Sequence, residues 1–253
     1  MNLDFSDDQK FLQEEARKFL EKENVLSRNR SVLENNANVD VELWNKIVEL
    51  GWTGIRIPEE YSGLGLGHLE LCVIAEELGR FLAPVPFSSS VYLFTEAIIN
   101  YANDDIKKEI LPKLVSGEVI GTLAVAEDLQ APTADNISLQ SDNNILNGKK
   151  IAVPDAEIAT HAIVVAKTSS GISLQLVDLN ADGVKIEKQE NIDESRGYFS
   201  ILFENSPSKL IGDETGGWDF YEALMNQAAV LFGYEQIGGS QAALDMAINY
   251  SKE

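Results

Sequence analysis

A single cysteine, Cys72, stands in a chain of 253 residues, so no disulfide forms within one chain and no cysteine-rich metal or redox framework is available. It lies in the apolar run from Leu69 to Leu78, where a thiol acts as a small hydrophobe. Histidine is nearly as scarce: His68 and His161 are the whole supply, too few and too far apart for the usual metal-ligand spacings. No run approaches the ~18 apolar residues of a membrane span. The acidic, amphipathic start MNLDFSDDQKFLQEEARKFL also lacks the basic-then-apolar order of a signal peptide. Cations are outnumbered, 20 Lys and Arg against 41 Asp and Glu, for a net charge of −21. A surface of that sign repels phosphate backbones and anionic lipid, which disfavours nucleic-acid and membrane partners. What remains is a globular, cytoplasmic protein whose 44% hydrophobic content suffices for a sizeable core.

Residues 1 to about 120 carry helical periodicity. Ser6 precedes Gln9 at capping-box spacing, and Phe5, Phe11, Leu12, Ala16, Phe19 and Leu20 then recur at helical intervals. A second helix is predicted from about Asp40 to Leu50, carrying Val41, Leu43, Trp44, Ile47 and Val48, with Gly51 as its stop. The stretch IRIPEEYSGLGLG, residues 55–67, reads as a loop. Its glycines lack the spacing of a phosphate cradle and suit turn angles instead. A long apolar helix follows from His68 and closes near Gly79 to Ala83, ahead of Pro84 and Pro86, and two more segments, 88–101 and 104–115, complete an all-helical domain. Trp44, Trp52 and Trp218 read as core or loop-packing residues.

From about 120 to 205 the apolar residues come in short runs, among them NILNGKKIAV, HAIVVAKT, ISLQLVDL and YFSILFE, separated by Gly, Asn, Asp and Ser. That is the pattern of an antiparallel sandwich or barrel, with Asn147-Gly148 as a hairpin turn. After the loop KLIGDETGGW the helical period returns from about Asp219 to Glu253. A helix of that length needs neighbours along most of it. With Leu224, Leu231, Ile237, Leu244 and Ile248 on or near one face, it is expected to pack on another chain or to fray beyond about Ala242.

These segments together resemble the acyl-CoA dehydrogenase family. LDFSDDQKFLQEEARKFL is similar to its opening helix. LWNKIVELGWTGIRIPEEYSGLGLGHLELCVIAEELGR resembles its helix, Pro-Glu-x-Tyr-Gly-Gly-x-Gly loop and Glu-Glu-x-Gly helix. ILPKLVSGEVIGTLAVAE resembles the approach to its middle domain, and IGDETGGWDFYEALMN the loop that launches a long helix. The resemblance implies an α+β multidomain chain: an all-α N-terminal domain (1–118), a β-barrel or sandwich middle domain (119–207) and, from 208 to 253, one long helix of an incomplete four-helix bundle.

The resemblance also implies FAD, with the cofactor met by Leu123, Val125 and Ala126 and by Ala152, Val153 and Pro154, and the acyl-CoA met near Pro132 and Thr133. Ala126 stands where the family usually has a Thr whose hydroxyl meets the flavin, and Ala152 where it usually has a Trp that packs on it. The proton-abstracting Glu of most members would fall beyond Glu253; in a minority it lies near the start of the long helix, where Ala228 aligns, with Glu222 and Glu235 the nearest carboxylates. Glu235 is the candidate base, since a carboxyl among Ala, Leu, Phe and Tyr has its pKa raised if it faces a pocket. The family's Arg-x-x-Phe-Gly and Gln-x-x-Gly-Gly segments would fall beyond Glu253. The implied reaction is α,β-dehydrogenation of an acyl-CoA thioester, with an electron-transfer flavoprotein as acceptor and self-association or a sibling dehydrogenase subunit completing the site. Two other readings fit: a non-catalytic partner subunit of a heteromeric dehydrogenase, and a non-enzymatic acyl-CoA-binding scaffold.

Overall fold

A computed structural model describes residues 4–253; Leu3, the first residue of the stretch similar to the family's opening helix, lies outside the described residues. The first helix, α1 (Asp7–Lys22), begins at the expected capping box. The Gln9 N–H donates to the Ser6 hydroxyl at 3.2 Å and the Ser6 N–H donates to the Gln9 side chain at 2.9 Å. Next comes α2 (Val25–Glu34), a helix the sequence reading left unassigned. Only Val25 and Val32 of it are buried, and Asn24 before it sits in the left-handed region without a side-chain cap, so neither periodicity nor capping marks it. The Asp40 carboxylate accepts from the Leu43 N–H at 2.9 Å to start α3 (Val41–Glu49), and Gly51, at φ +76, ends it in the left-handed conformation that favours glycine.

The apolar helix α4 (His68–Arg80) is followed by a π-helical segment, Ser88–Thr95, every residue of which is buried. That segment runs into α5 (Glu96–Tyr101), and α6 (Asp104–Val115) closes the helical part.

Eight strands then form one mixed sheet: β1 (Gly121–Ala124), β2 (Gln140–Asp142), β3 (Ile145–Pro154), β4 (His161–Lys167), β5 (Ile172–Asp178), β6 (Val184–Gln189), β7 (Tyr198–Pro207) and β8 (Lys209–Ile211). The order is β6-β7-β3-β2-β4-β5-β8, with β1 also on β4. Both β1 and β2 run parallel to β4, so the expected wholly antiparallel pattern is corrected at the centre. The expected Asn147-Gly148 turn is corrected as well. Those residues lie inside β3 at a register shift, opposite Glu204 and Phe203 of β7. The hairpin turn is made instead by Asn143 and Asn144, at φ 48 and φ 61, the positive pair that a two-residue primed turn requires.

Both faces of the central strand are buried, which explains its unbroken apolar run. Ile163 and Val165 of β4 join a large core shared with the helices, whereas Ala162, Val164 and Ala166 point into a second core on the other side of the sheet.

The last helix, α7 (Gly217–Tyr250), crosses α4 at backbone contact. A Cβ on Gly238 would fall 1.8 Å from the Glu76 carbonyl oxygen, and one on Gly79 would fall 2.1 Å from that of Glu235. Its buried face is Leu224, Ala228, Leu231 and Gly238. The single face expected from sequence therefore divides: Leu224 and Leu231 are in the core, while Ile237, Leu244 and Ile248 are exposed, sharing that side with Val230. Among the described residues no helix is long and apolar enough to cross a membrane.

Candidate functional site

The two segments matched to flavin contacts lie side by side. The Ile151 N–H donates to the Ala126 carbonyl at 2.8 Å, joining the end of β1 to the middle of β3. Lys150, with its side chain fully buried, fixes the same junction from inside: its ammonium donates to the Val125 carbonyl at 2.8 Å and to Glu127 at 2.7 Å. Glu127 in turn accepts from the Ser138 N–H at 2.9 Å, the Leu139 N–H at 3.0 Å and the Ser138 hydroxyl. Burial pulls the Lys150 ammonium down to about 8, against the opposing pull of Glu127. The Thr122 hydroxyl donates to the Pro154 carbonyl at 2.6 Å and anchors the far end of the second segment.

The predicted contact residues do not share one exposure. Leu123 and Val153 are buried, Val125, Ala126 and Pro154 are half-buried, and Ala152 is exposed at φ 51 with its N–H given to the Gln189 side chain at 2.7 Å. Leu123 and Val153 therefore support the surface, while Val125, Ala126 and Ala152 form it. Among the described residues the Ala126 N–H meets no acceptor, so a main-chain donor stands beside an exposed, ring-free Ala152. A flavin edge fits that main chain; the hydroxyl and ring that would add to its grip are not encoded. Pro132 and Thr133 sit in the loop between β1 and β2, half-buried and exposed respectively. That loop holds itself together, with the Thr133 N–H donating to Asn136 at 2.7 Å and Asn136 donating to the Ala131 carbonyl at 3.0 Å.

One residue past Pro154 the polypeptide turns through Asp155, at φ 56 and almost fully buried. Its carboxylate accepts from Arg196 Nη2 at 2.5 Å, Arg196 Nε at 3.2 Å and the Ser89 hydroxyl at 2.5 Å. Burial opposes the Arg196 charge, yet the Asp155 partner outweighs it and holds the guanidinium above its ordinary value. Arg196 lines a cavity of about 490 Å3 between α4, the π-helical segment and α7, together with Leu78, Phe87, Ser88, Glu235 and Gly239. Glu235 thus lines a pocket. Burial pushes its carboxyl up, and the Tyr92 hydroxyl and the Arg196 charge pull it back only in part. Tyr92, itself fully buried, has a hydroxyl with no partner at hydrogen-bonding geometry.

A second buried carboxylate, Glu96, accepts from Arg56 Nε at 2.9 Å and from the Gln227 amide at 2.7 Å, with His68 Nε2 at 3.6 Å. Ala228, beside Gln227, is fully buried and Glu222 is exposed, so neither places a carboxylate at that point of α7. Sequence reasoning singled out Glu235 but missed Arg196, Asp155, Arg56 and Glu96. The acidic residue in Ala-Val-Pro-Asp signals a buried charge needing a partner, but nothing in sequence marks Arg196, 41 positions away, as that partner.

The model of the family described as "Acyl-CoA dehydrogenase, N-terminal domain" matches residues 6–118. An isovaleryl-CoA dehydrogenase, mitochondrial, of Solanum tuberosum is 27% identical over 98% of this chain, which spans 64% of that relative's length. A glutaryl-coenzyme A dehydrogenase solved as a glutaryl-CoA complex superposes with a TM-score of 0.90 at 25% identity, over 99% of this chain and 68% of the other. Butyryl-CoA dehydrogenase from Megasphaera elsdenii shares the fold with a TM-score of 0.91 at 22% identity, over 100% of this chain and 71% of its own.

Proposed function

The chain belongs to the acyl-CoA dehydrogenase family, and from that membership we propose that it serves the flavin-dependent α,β-dehydrogenation of an acyl-CoA thioester. The observation that carries this reading is the convergence of residues 125–126 with 152–154, whose second segment leads through Asp155 to Arg196 in the wall of a cavity between α4 and α7. In it, the main chain of Val125 and Ala126 and the turn Ala152 to Pro154 would hold FAD. When bound, FAD supplies the acceptor for the hydride leaving the β-carbon.

The chain's own residues do the rest of what is proposed here. Lys150 and Glu127 lock the two segments in register, so a donor at Ala126 is set before any ligand arrives. Leu78, Leu82, Val85 and Phe87 offer an acyl group an apolar wall. An electron-transfer flavoprotein is the proposed acceptor of the electrons. Titrating the purified chain with FAD tests the reading: quenching of flavin fluorescence and a retained yellow absorbance band after gel filtration are expected. A colourless protein that takes up no added FAD would overturn it.

A second reading, a non-catalytic partner of a sibling dehydrogenase subunit, is favoured by Ala126 without a hydroxyl, Ala152 without a ring and the buried Ala228 without a carboxylate. Its signature is flavin retention only when the two chains co-purify.

A further inference from the structure

Arg196 and Glu235 line the same cavity, and each feels the other's charge, yet they form no ion pair among the described residues. Opposite charges that share a cavity attract one another unless something holds each in place. Here each is held from behind. Arg196 is tied through Nε and Nη2 to Asp155, which leaves Nη1 as its available donor. Glu235 is fixed by the α4–α7 crossing, where its backbone touches Gly79. Leu78, Leu82, Val85 and Phe87 give the cavity an apolar wall, and Ser88, Gln236 and Ser240 are its other polar lining residues. The volume, about 490 Å3, is of the size that takes a small organic group.

We propose that this cavity receives an acyl group carrying a hydroxyl, whose oxygen accepts from Arg196 and whose O–H donates to Glu235. The proposal rests on the acyl-CoA reading above and adds the class of acyl group. A hydroxyl is singled out because it is both donor and acceptor, and so satisfies a cation and a carboxyl set on either side of it. A plain alkyl end gives neither Arg196 Nη1 nor the Glu235 carboxyl a polar partner. A carboxylate end sets a second negative charge against Glu235 while Arg196 is already neutralised by Asp155.

The test uses the whole chain and three probes matched in length: a medium-chain acyl-CoA, its ω-hydroxy analogue and its ω-carboxy analogue, each titrated by calorimetry. The ω-hydroxy form is expected to bind about tenfold or more tightly than the plain form, since a site built to hydrogen-bond a hydroxyl rejects the analogue lacking it. Glu235→Leu is expected to bring the ratio close to one. Glu235→Gln, which keeps a hydrogen-bonding group of the same size, is expected to retain part of it and serves if the leucine variant fails to fold. Equal binding of the plain and hydroxy forms, or tightest binding of the carboxy form, overturns the hydroxyl assignment and leaves the acyl-CoA reading standing. Binding of none of the three by natively folded protein overturns both.

Discussion

Lys150 shows how much one side chain fixes here. It matches a lysine of the family's second flavin segment, but its ammonium points inward, fully buried, onto Val125 and Glu127. Replacing one partner of such a pair strands the other charge, so Glu127→Ala is expected to destabilise the fold by about 3–5 kcal/mol in urea unfolding. It also frees the N–H groups of Ser138 and Leu139. The pH dependence follows from the direction of the shift. Burial lowers the Lys150 ammonium from its ordinary 10.5 to about 8. Between those values the unfolded chain holds a proton that the folded chain has released, so stability rises with pH across the window. The contribution is complete above the unfolded value and is lost as pH falls through the folded one. Relative to Lys150→Met, the parent chain is expected to gain stability from about pH 8 to 10.5 and to run parallel below pH 8. A difference that is flat across that window would show that Lys150 keeps an ordinary ammonium.

Among the elements, the crossing of α4 and α7 has the least tolerance. Adding a Cβ at Gly238 brings it 1.8 Å from the Glu76 carbonyl oxygen, whereas at Gly233 nothing lies within 4 Å. Gly238→Ala is therefore expected to cost about 1–3 kcal/mol by overpacking. Gly233→Ala, in the same helix, is expected to stabilise by about 0.5–1 kcal/mol by removing the glycine penalty. Thermal unfolding of the two variants should move in opposite directions; a shared sign would mean that helix propensity, and not the crossing, dominates. Elements with strong caps or long apolar faces were legible from residues alone, α1, α3, α4 and α7 among them. Helix α2 was not, because its two buried residues, Val25 and Val32, are too few to mark a period. Asn143-Asn144 and Asn147-Gly148 both admit positive φ, and only the strand register of β3 against β7 shows which pair makes the turn.

For the whole molecule, the shared core is the deciding feature. Leu71 of α4, Phe94 of the π-helical segment, Ile163 of β4, Ile211 of β8 and Leu231 of α7 belong to one buried cluster. Helical and β parts that share a core lose their packing together, so calorimetry is expected to show one unfolding transition with matching calorimetric and van't Hoff enthalpies. Two resolved transitions would mean that the clusters on the two faces of the sheet melt independently.

The sequence by itself determined the order of helical and β segments, the family likeness and the two stretches that meet at the candidate flavin surface. The segment order is written in local periodicity and turn residues and the likeness in motif spacing, which a linear reading retains, whereas the two stretches are what the likeness implies. Only the tertiary structure decided which side chains work together: Asp155 with Arg196, Arg56 with Glu96, and Glu235 with the cavity opposite Arg196. The β3–β7 register brings Asp155 to Arg196, the α4–α7 crossing sets Glu235 in the cavity wall, and the packing of the loop after α3 on α5 joins Arg56 to Glu96; a charge pair across such distances leaves no periodic trace in the chain.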